Sequence, residues 1–315
     1  MACNIDDIRA AHDRIAPWIH RTPVMTSQLL DELAGASVFF KCENLQKAGA
    51  FKSRGAVNAV FSLPDDEARR GVATHSSGNH GSALARAAQL RGIPAWIVVP
   101  ENAKAAKKAT IRQYGGQVIE CESTLAARES TLAKVVEETG AVFIPPYDDD
   151  RIIAGQGTAA LELVDQVENL DCIIAPVGGG GLLAGTALVC AGNNIQAFGA
   201  EPEMADDAWR SLSTGELVRS HTPNTMADGL QTTLGERNYE IIRRNVAEIL
   251  LVSEAEIVDA MELLWTRLKL VIEPSAAVTY AAILRNPKRF AGQRVGAILT
   301  GGNVDLADLP FSYAR

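Results

Sequence analysis

Short apolar runs alternate along this chain with longer stretches whose apolar residues recur at helical spacing. "SVFFKC" (37–42), "GVATH" (71–75), "AWIVVP" (95–100), "QVIEC" (117–121), "CIIAPV" (172–177), "IQAFGAE" (195–201) and "RVGAILT" (294–300) have the β-branched, turn-bounded character of strands. Between them lie "SRGAVNAVFSL", "GNHGSALARAAQLRG", "KAAKKATIRQYGG", "TLAARESTLAKVVEETG" and "GLLAGTALVCAG", which read as helices, several stopped by glycine. Near-continuous apolar strands alternating with helices predict an α/β fold with parallel sheets covered on both faces. Ligands in such folds bind at the carboxyl ends of strands, so chemistry is expected in the loops after Cys42, His75, Val177, Glu201 and Thr300. The pattern suggests two domains, a small one over 65–148 and a large one from 1–64 with 149–315. No Pro/Gly/Ser-rich linker marks the joints.

The 315 residues are 47% hydrophobic and 22% charged, enough for a sizeable core. A net charge of −8 argues against nucleic-acid binding, because phosphate contacts need a basic face. "MACNIDDIRAAHDRI" has acidic residues and helical spacing where a signal peptide has a basic start and an apolar core, and no apolar run reaches transmembrane length. Five scattered cysteines (Cys3, Cys42, Cys121, Cys172, Cys190), with no CxxC pair, predict free thiols in a cytoplasmic protein and no disulfide framework or zinc site.

Charge and composition leave a small-molecule site as the thing to find. In "PVGGGGLLAG", Gly178, Gly179, Gly180 and Gly181 follow a strand and open a helix. Bare backbone there lets several N–H groups turn toward one anion, aided by the helix N-terminus: a phosphate cradle without a P-loop lysine. The same run fits the dinucleotide pattern GxGxxA at Gly179, Gly181 and Ala184, with Glu201 about 20 residues on, and any polyglycine turn satisfies that pattern. In "ENLQKAGAFKSRGA", Lys52 sits among small and apolar neighbours. Desolvation lowers a lysine's pKa toward the reactive neutral amine. A phosphate cradle and such an amine together suggest pyridoxal phosphate. "THSSGNHGSA" (74–83) offers hydroxyls, an amide and backbone N–H groups between a strand and a helix, suited to a carboxylate and equally to an N-cap.

"ENLQKAGAFKSRGA", "SSGNHG", "AGQGT", "PVGGGGLLAG", "EPEMADD", "MADGL" and "TGGNVDL" occur in an order and spacing that resembles the serine racemase and serine/threonine dehydratase family of fold-type II pyridoxal-phosphate enzymes, from about Arg21 to Leu306. The resemblance implies two three-layer α/β/α domains with mostly parallel sheets, of the kind found in the tryptophan synthase β chain, and a homodimer. It implies that Lys52 forms the Schiff base, with Phe51 packed beside the ring and Asn79 on the ring hydroxyl. Gly178 to Gly181 with Leu182 would hold the phosphate, and Thr300 would face the pyridine nitrogen. A hydroxyl there cannot keep the ring nitrogen protonated as a carboxylate would, which favours expulsion of a β leaving group. Ser76, Ser77, Gly78, Asn79 and His80 match the substrate-carboxylate loop. Ser77, opposite Lys52 in the racemases, would make a two-base pair. Glu201, Ala205 and Asp207 match a Mg2+ or Ca2+ site of oxygen donors; read alone, they are an acidic first helical turn.

The implied activity is dehydration and deamination of a β-hydroxy amino acid (serine, threonine or 3-hydroxyaspartate) to a 2-oxo acid and ammonia, with racemisation beside it. Alternatives are β-replacement of the cysteine synthase type and a non-enzymatic pyridoxal-phosphate protein. Two places depart from the family and a third matches it in part. Ala48-Gly49-Ala50 stands where Thr-Gly-Ser is usual, removing two hydroxyls expected near the substrate. Tyr147 stands where some relatives have asparagine and would narrow the pocket. Arg128 matches an arginine near the racemase cleft, although in isolation it reads as a solvated helix arginine. It has no acid three or four places away, and facing the cleft it would suit the second carboxylate of 3-hydroxyaspartate. The short tail after "TGGNVDL" leads us to expect the short form, without a C-terminal regulatory domain of the feedback-inhibited type.

Overall fold

The computed structural model describes residues 3–311. Ten strands form two sheets: β1 (Val24–Met25), β2 (Ser37–Cys42), β3 (Val72–His75), β4 (Ala95–Pro100), β5 (Gln117–Cys121), β6 (Val142–Phe143), β7 (Cys172–Pro176), β8 (Gln196–Pro202), β9 (Val246–Val252) and β10 (Arg294–Leu299). The larger sheet has the order β1-β2-β10-β7-β8-β9 and the smaller β5-β4-β3-β6. Every pairing is parallel except β1 on β2. The α/β class read from the pattern is the observed one.

Alternate residues of the central strands enter different cores, as a sheet covered on both faces requires. On β7, Cys172 and Ile174 pack with Tyr280, Ile283 and the helix Pro274–Arg285, while Ile173 and Ala175 pack with Leu183, Ala187 and the helices Gly181–Gly192 and Asp150–Gln166. Each fully buried Ile or Leu contributes about 1.5–3 kcal/mol over its exposed state. The core beneath β3 and β4 also takes in Ile15, Val57, Val60 and Ile152, so the helix Lys52–Phe61 packs against the smaller sheet as well.

Three elements escaped the pattern. β1 and β6 are two residues each, and β9, "VAEILLV", follows the helix Glu236–Asn245 with no turn residues between them. β5 is half exposed along its length because it is an edge strand. The "AGQGT" segment sets helix spacing: a Cβ on Gly155 would lie 2.5 Å from Gly55 Cα, and one on Gly185 would lie 2.6 Å from Gly157 N. The helix Asp150–Gln166 therefore holds the Lys52 helix and the polyglycine helix at backbone contact.

A buried charge cluster fixes the same region. Arg54 donates to both oxygens of Glu43 (2.7 and 2.8 Å) and both of Glu162 (2.8 Å each). Lys41 Nζ donates to Glu162 (2.7 Å), Gln166 (2.8 Å) and the Thr22 carbonyl (2.8 Å). Two cations face two anions, with every charge hydrogen-bonded. Among the described residues no helix is long and apolar enough to cross a membrane, and all five cysteines are free thiols.

Candidate active site

The loops after β2, β3, β7 and β10 converge on one cavity of about 1260 Å³. Its walls include Phe51, Lys52, Ser76, Ser77, Gly78, Asn79, His80, Arg128, Gly178, Gly179, Gly180, Gly181, Leu182 and Thr300. The loop after β8 is elsewhere: Glu201, Ala205 and Asp207 do not line this space.

Lys52 opens its helix, and the turn before it is tied to the end of β10 by the Phe51 N–H, which donates to the Thr300 carbonyl at 3.0 Å. Its Nζ donates to the Pro146 carbonyl at 2.8 Å and lies 5.1 Å from the Phe51 ring centroid. Burial lowers the amine to about 8, against the pull of the Glu273 charge, so a sizeable neutral fraction exists near physiological pH. The sequence expectation of a desolvated amine is met.

Across the cavity, Gly180 has φ +92° and caps the helix Gly181–Gly192. No hydrogen bond among the described residues uses the N–H groups of Gly178, Gly179 or Gly180. The run is shaped from behind by Asn238, whose Nδ2 donates to the Gly179 carbonyl at 2.6 Å. The Tyr147 ring lies directly on Gly179, where a Cβ would fall 2.2 Å from the ring. Tyr147 is one of the residues that line the cavity. The Thr300 side chain is 3% exposed and its Oγ1 has no hydrogen-bond partner.

His80 is buried, its Nε2 3.1 Å from the Ile144 carbonyl, and burial together with Lys52 holds it down at about 3. It is therefore neutral across the physiological range. Asn79, the first residue of the helix Asn79–Arg91, is clamped on both sides. Its Oδ1 accepts from Asn303 Nδ2 at 2.8 Å, and its Nδ2 donates to Glu273 Oε1 and Oε2 at 3.0 and 3.2 Å. Glu273 was not anticipated. The sequence "EPSAAV" places an acid before a helix-starting proline, which reads as a helix boundary. Its side chain is buried against Gly301, and burial and the Asp228 charge push it up to about 7.

Arg128 is half-buried in the cavity wall on the helix Leu125–Thr139, and forms no ion pair among the described residues. The helix turns that face toward the cavity, where the guanidinium is available to a ligand. Ala48 and Ala50 do not line the cavity; Ala50 is buried and bridges to Gly301, and the Ala48 carbonyl accepts from Asn303 Nδ2 at 2.8 Å.

At the end of β8, Glu201 and Asp207 are both buried. Glu201 accepts from the Ala208 and Trp209 N–H groups (3.2 and 2.9 Å), and Asp207 Oδ2 accepts from the Leu234 N–H (2.8 Å). Asp207 Oδ1 has no hydrogen-bond partner and lies 3.4 Å from His221 Nε2, itself unpartnered. Burial pushes both carboxyls above their ordinary range. Among the described residues no three His, Cys, Asp or Glu side chains are gathered as a metal site, so a cation here would need the Ala205 carbonyl and water.

An amine, a run of free backbone N–H groups, an amide and an orphaned buried hydroxyl fit the aldehyde, phosphate, ring hydroxyl and ring nitrogen of pyridoxal phosphate. Comparison with known proteins agrees. The profile of the family described as "Pyridoxal-phosphate dependent enzyme" matches residues 15–301. The chain is similar to a β-hydroxyaspartate dehydratase of Paracoccus denitrificans (strain Pd 1222), with 54% identity covering 98% of each chain. It is also similar to a serine racemase of Dictyostelium discoideum, with 51% identity over 97% of this chain and 96% of the other. A solved structure of maize serine racemase superimposes with a TM-score of 0.96 at 46% identity, covering 98% of this chain and 96% of that one.

Proposed function

The chain belongs to the pyridoxal-phosphate-dependent enzyme family, and from that premise we propose that it dehydrates and deaminates 3-hydroxyaspartate to oxaloacetate and ammonia, with amino-acid racemisation as a second activity. The carrying observation is a guanidinium without a carboxylate partner, Arg128, in the wall of the cavity that also holds the Lys52 amine. A substrate with a second carboxylate supplies the missing partner through a bidentate pair.

Bound pyridoxal phosphate supplies a carbonyl for the substrate amine and an electron sink that acidifies the Cα–H bond. The neutral Lys52 Nζ then takes the Cα proton, its low pKa keeping it competent near pH 8. Gly178, Gly179 and Gly180 offer their free N–H groups to the phosphate, and Thr300 Oγ1 offers a hydroxyl to the ring nitrogen. The loop Ser76–Asn79 at the helix N-terminus receives the α-carboxylate. Ser77, whose hydroxyl makes no hydrogen bond among the described residues, holds or delivers a proton on the other side of Cα, and this supports racemisation.

Glu201, the Ala205 carbonyl and Asp207 bind a divalent cation, a reading supported by two adjacent buried carboxyls of which Asp207 Oδ1 has no hydrogen-bond partner. The protein works as a homodimer in the cytoplasm, a reading that rests on the family and on five free thiols. The chain divides into a moving part over 65–148 and a fixed part formed by the rest.

The test is a panel of L- and D-serine, L-threonine and the threo and erythro 3-hydroxyaspartates, assayed for oxo acid and for enantiomer. Arg128→Gln is expected to lower kcat/KM for 3-hydroxyaspartate about 100-fold while changing serine turnover by a few-fold at most. Equal losses on both substrates would defeat the assignment. Sulfide-dependent consumption of acetylserine exceeding dehydration would favour β-replacement instead.

A further inference from the structure

Asn79 has one unusual feature for a residue offered to a ligand: both ends of its amide are already committed to the protein. Asn303 Nδ2 donates to its Oδ1 at 2.8 Å, and Asn303 is itself held by the Ala48 carbonyl at 2.8 Å. Glu273 accepts from its Nδ2 with both oxygens. Because Asn303 presents N–H groups to it, the amide cannot turn over without setting N–H against N–H. Its Nδ2 carries two hydrogens, and the one not taken by Glu273 is the donor it can present to the cavity it lines.

Resting on the pyridoxal-phosphate reading above, we propose that Glu273 is a positioning residue of the cofactor site: it fixes the Asn79 amide with a donor toward the ring hydroxyl, and gaining a proton weakens that hold. The chemistry follows from the donor inventory. A carboxylate accepts only, so it demands the N–H end of the amide. A carboxylic acid keeps one carbonyl oxygen that can accept from Nδ2, but it has lost its charge and its O–H finds no acceptor in Nδ2, so it holds the amide less firmly.

Glu273 is suited to change state. It is buried, and burial and Asp228 push it up to about 7, while the Asn79 and Asn303 N–H groups and Lys107 pull the other way. The charged groups facing it are Asp228 from the turn Asp228–Leu230, Lys107 from the helix Ala105–Gln113 and Lys52 from its own helix. Lys107 Nζ and Asp228 Oδ2 pair at 2.8 Å, so Lys107 offsets part of the Asp228 charge at Glu273. Neither Lys52 nor the substrate loop needs to move for the switch to act, since the contact runs through one amide.

The experiment is a pH titration, from 5.5 to 9, of the visible absorption of the holoenzyme in wild type, Glu273→Gln and Glu273→Ala, together with cofactor affinity and separate kcat and KM. Glutamine can still accept from Asn79 through its Oε1 but does not titrate. The expected result is an inflection in wild type that is absent in Glu273→Gln, with cofactor affinity kept within about threefold. Glu273→Ala loses both the inflection and about tenfold in cofactor affinity. An unchanged inflection in Glu273→Gln, no inflection in wild type, or wild-type affinity in Glu273→Ala would each overturn the proposal. A wild-type protein that takes up no pyridoxal phosphate would instead overturn the cofactor reading beneath it.

Discussion

Arg54 and Lys41 sit with Glu43 and Glu162 at one side of the larger sheet; Glu201 and Asp207 sit at the end of β8 within the same sheet. All six side chains are buried, yet the surroundings differ. In the first group every charged atom has a partner of opposite sign at 2.7–2.8 Å. In the second, two carboxylates share neighbouring space with backbone N–H groups and one unpartnered histidine ring. The cavity resembles the second group: the Thr300 hydroxyl and the N–H groups of Gly178, Gly179 and Gly180 have no hydrogen-bond partner among the described residues. Desolvating a polar group without a partner is costly. A fold that tolerates several such groups in one place is holding them for something that arrives from outside, whereas balanced burial serves the fold itself.

The contrast can be broken most sharply at Lys52. Lys52→Ala is expected to abolish the visible absorption of the purified protein and lower activity by at least on the order of 10³, while the melting temperature of the cofactor-free chain stays within a few degrees. A coloured, active variant would remove Lys52 from the chemistry. Arg54→Ala should do the reverse. Removing the shared cation strands two buried carboxylates and costs about 3–5 kcal/mol, read by denaturant unfolding. A loss below about 1 kcal/mol would mean that the cluster is no more structural than the cavity. The smallest effect belongs to the β8 end. Saturating Mg2+ or Ca2+ should stabilise the wild type by about 2–3 kcal/mol, and Asp207→Asn should erase that gain. Equal stabilisation of both proteins would place any cation elsewhere.

Much of this was legible in the residues. Seven strands announced themselves because they are apolar runs bounded by turn residues; Lys52 and the four glycines stood out in the loops between strands and helices, and Thr300 was singled out only by the family resemblance. β9 stayed hidden because nothing punctuates the junction at Asn245. Glu273 stayed hidden for a different reason. Its partner Asn79 is 194 residues away, and an acid ahead of a proline has a sufficient local explanation. Arg128 shows the limit of periodicity: helical spacing tells which residues share a face, and only packing tells what that face looks upon.

The ring of Tyr147 resting on Gly179 makes these two positions a single mechanical part. Where a relative carries asparagine at the first, a chimaera that inherits one segment without the other would open a ring-sized hollow behind the anion cradle. Any recombination of such sequences should cut outside both segments, so that the lid and the bare backbone it rests on travel together.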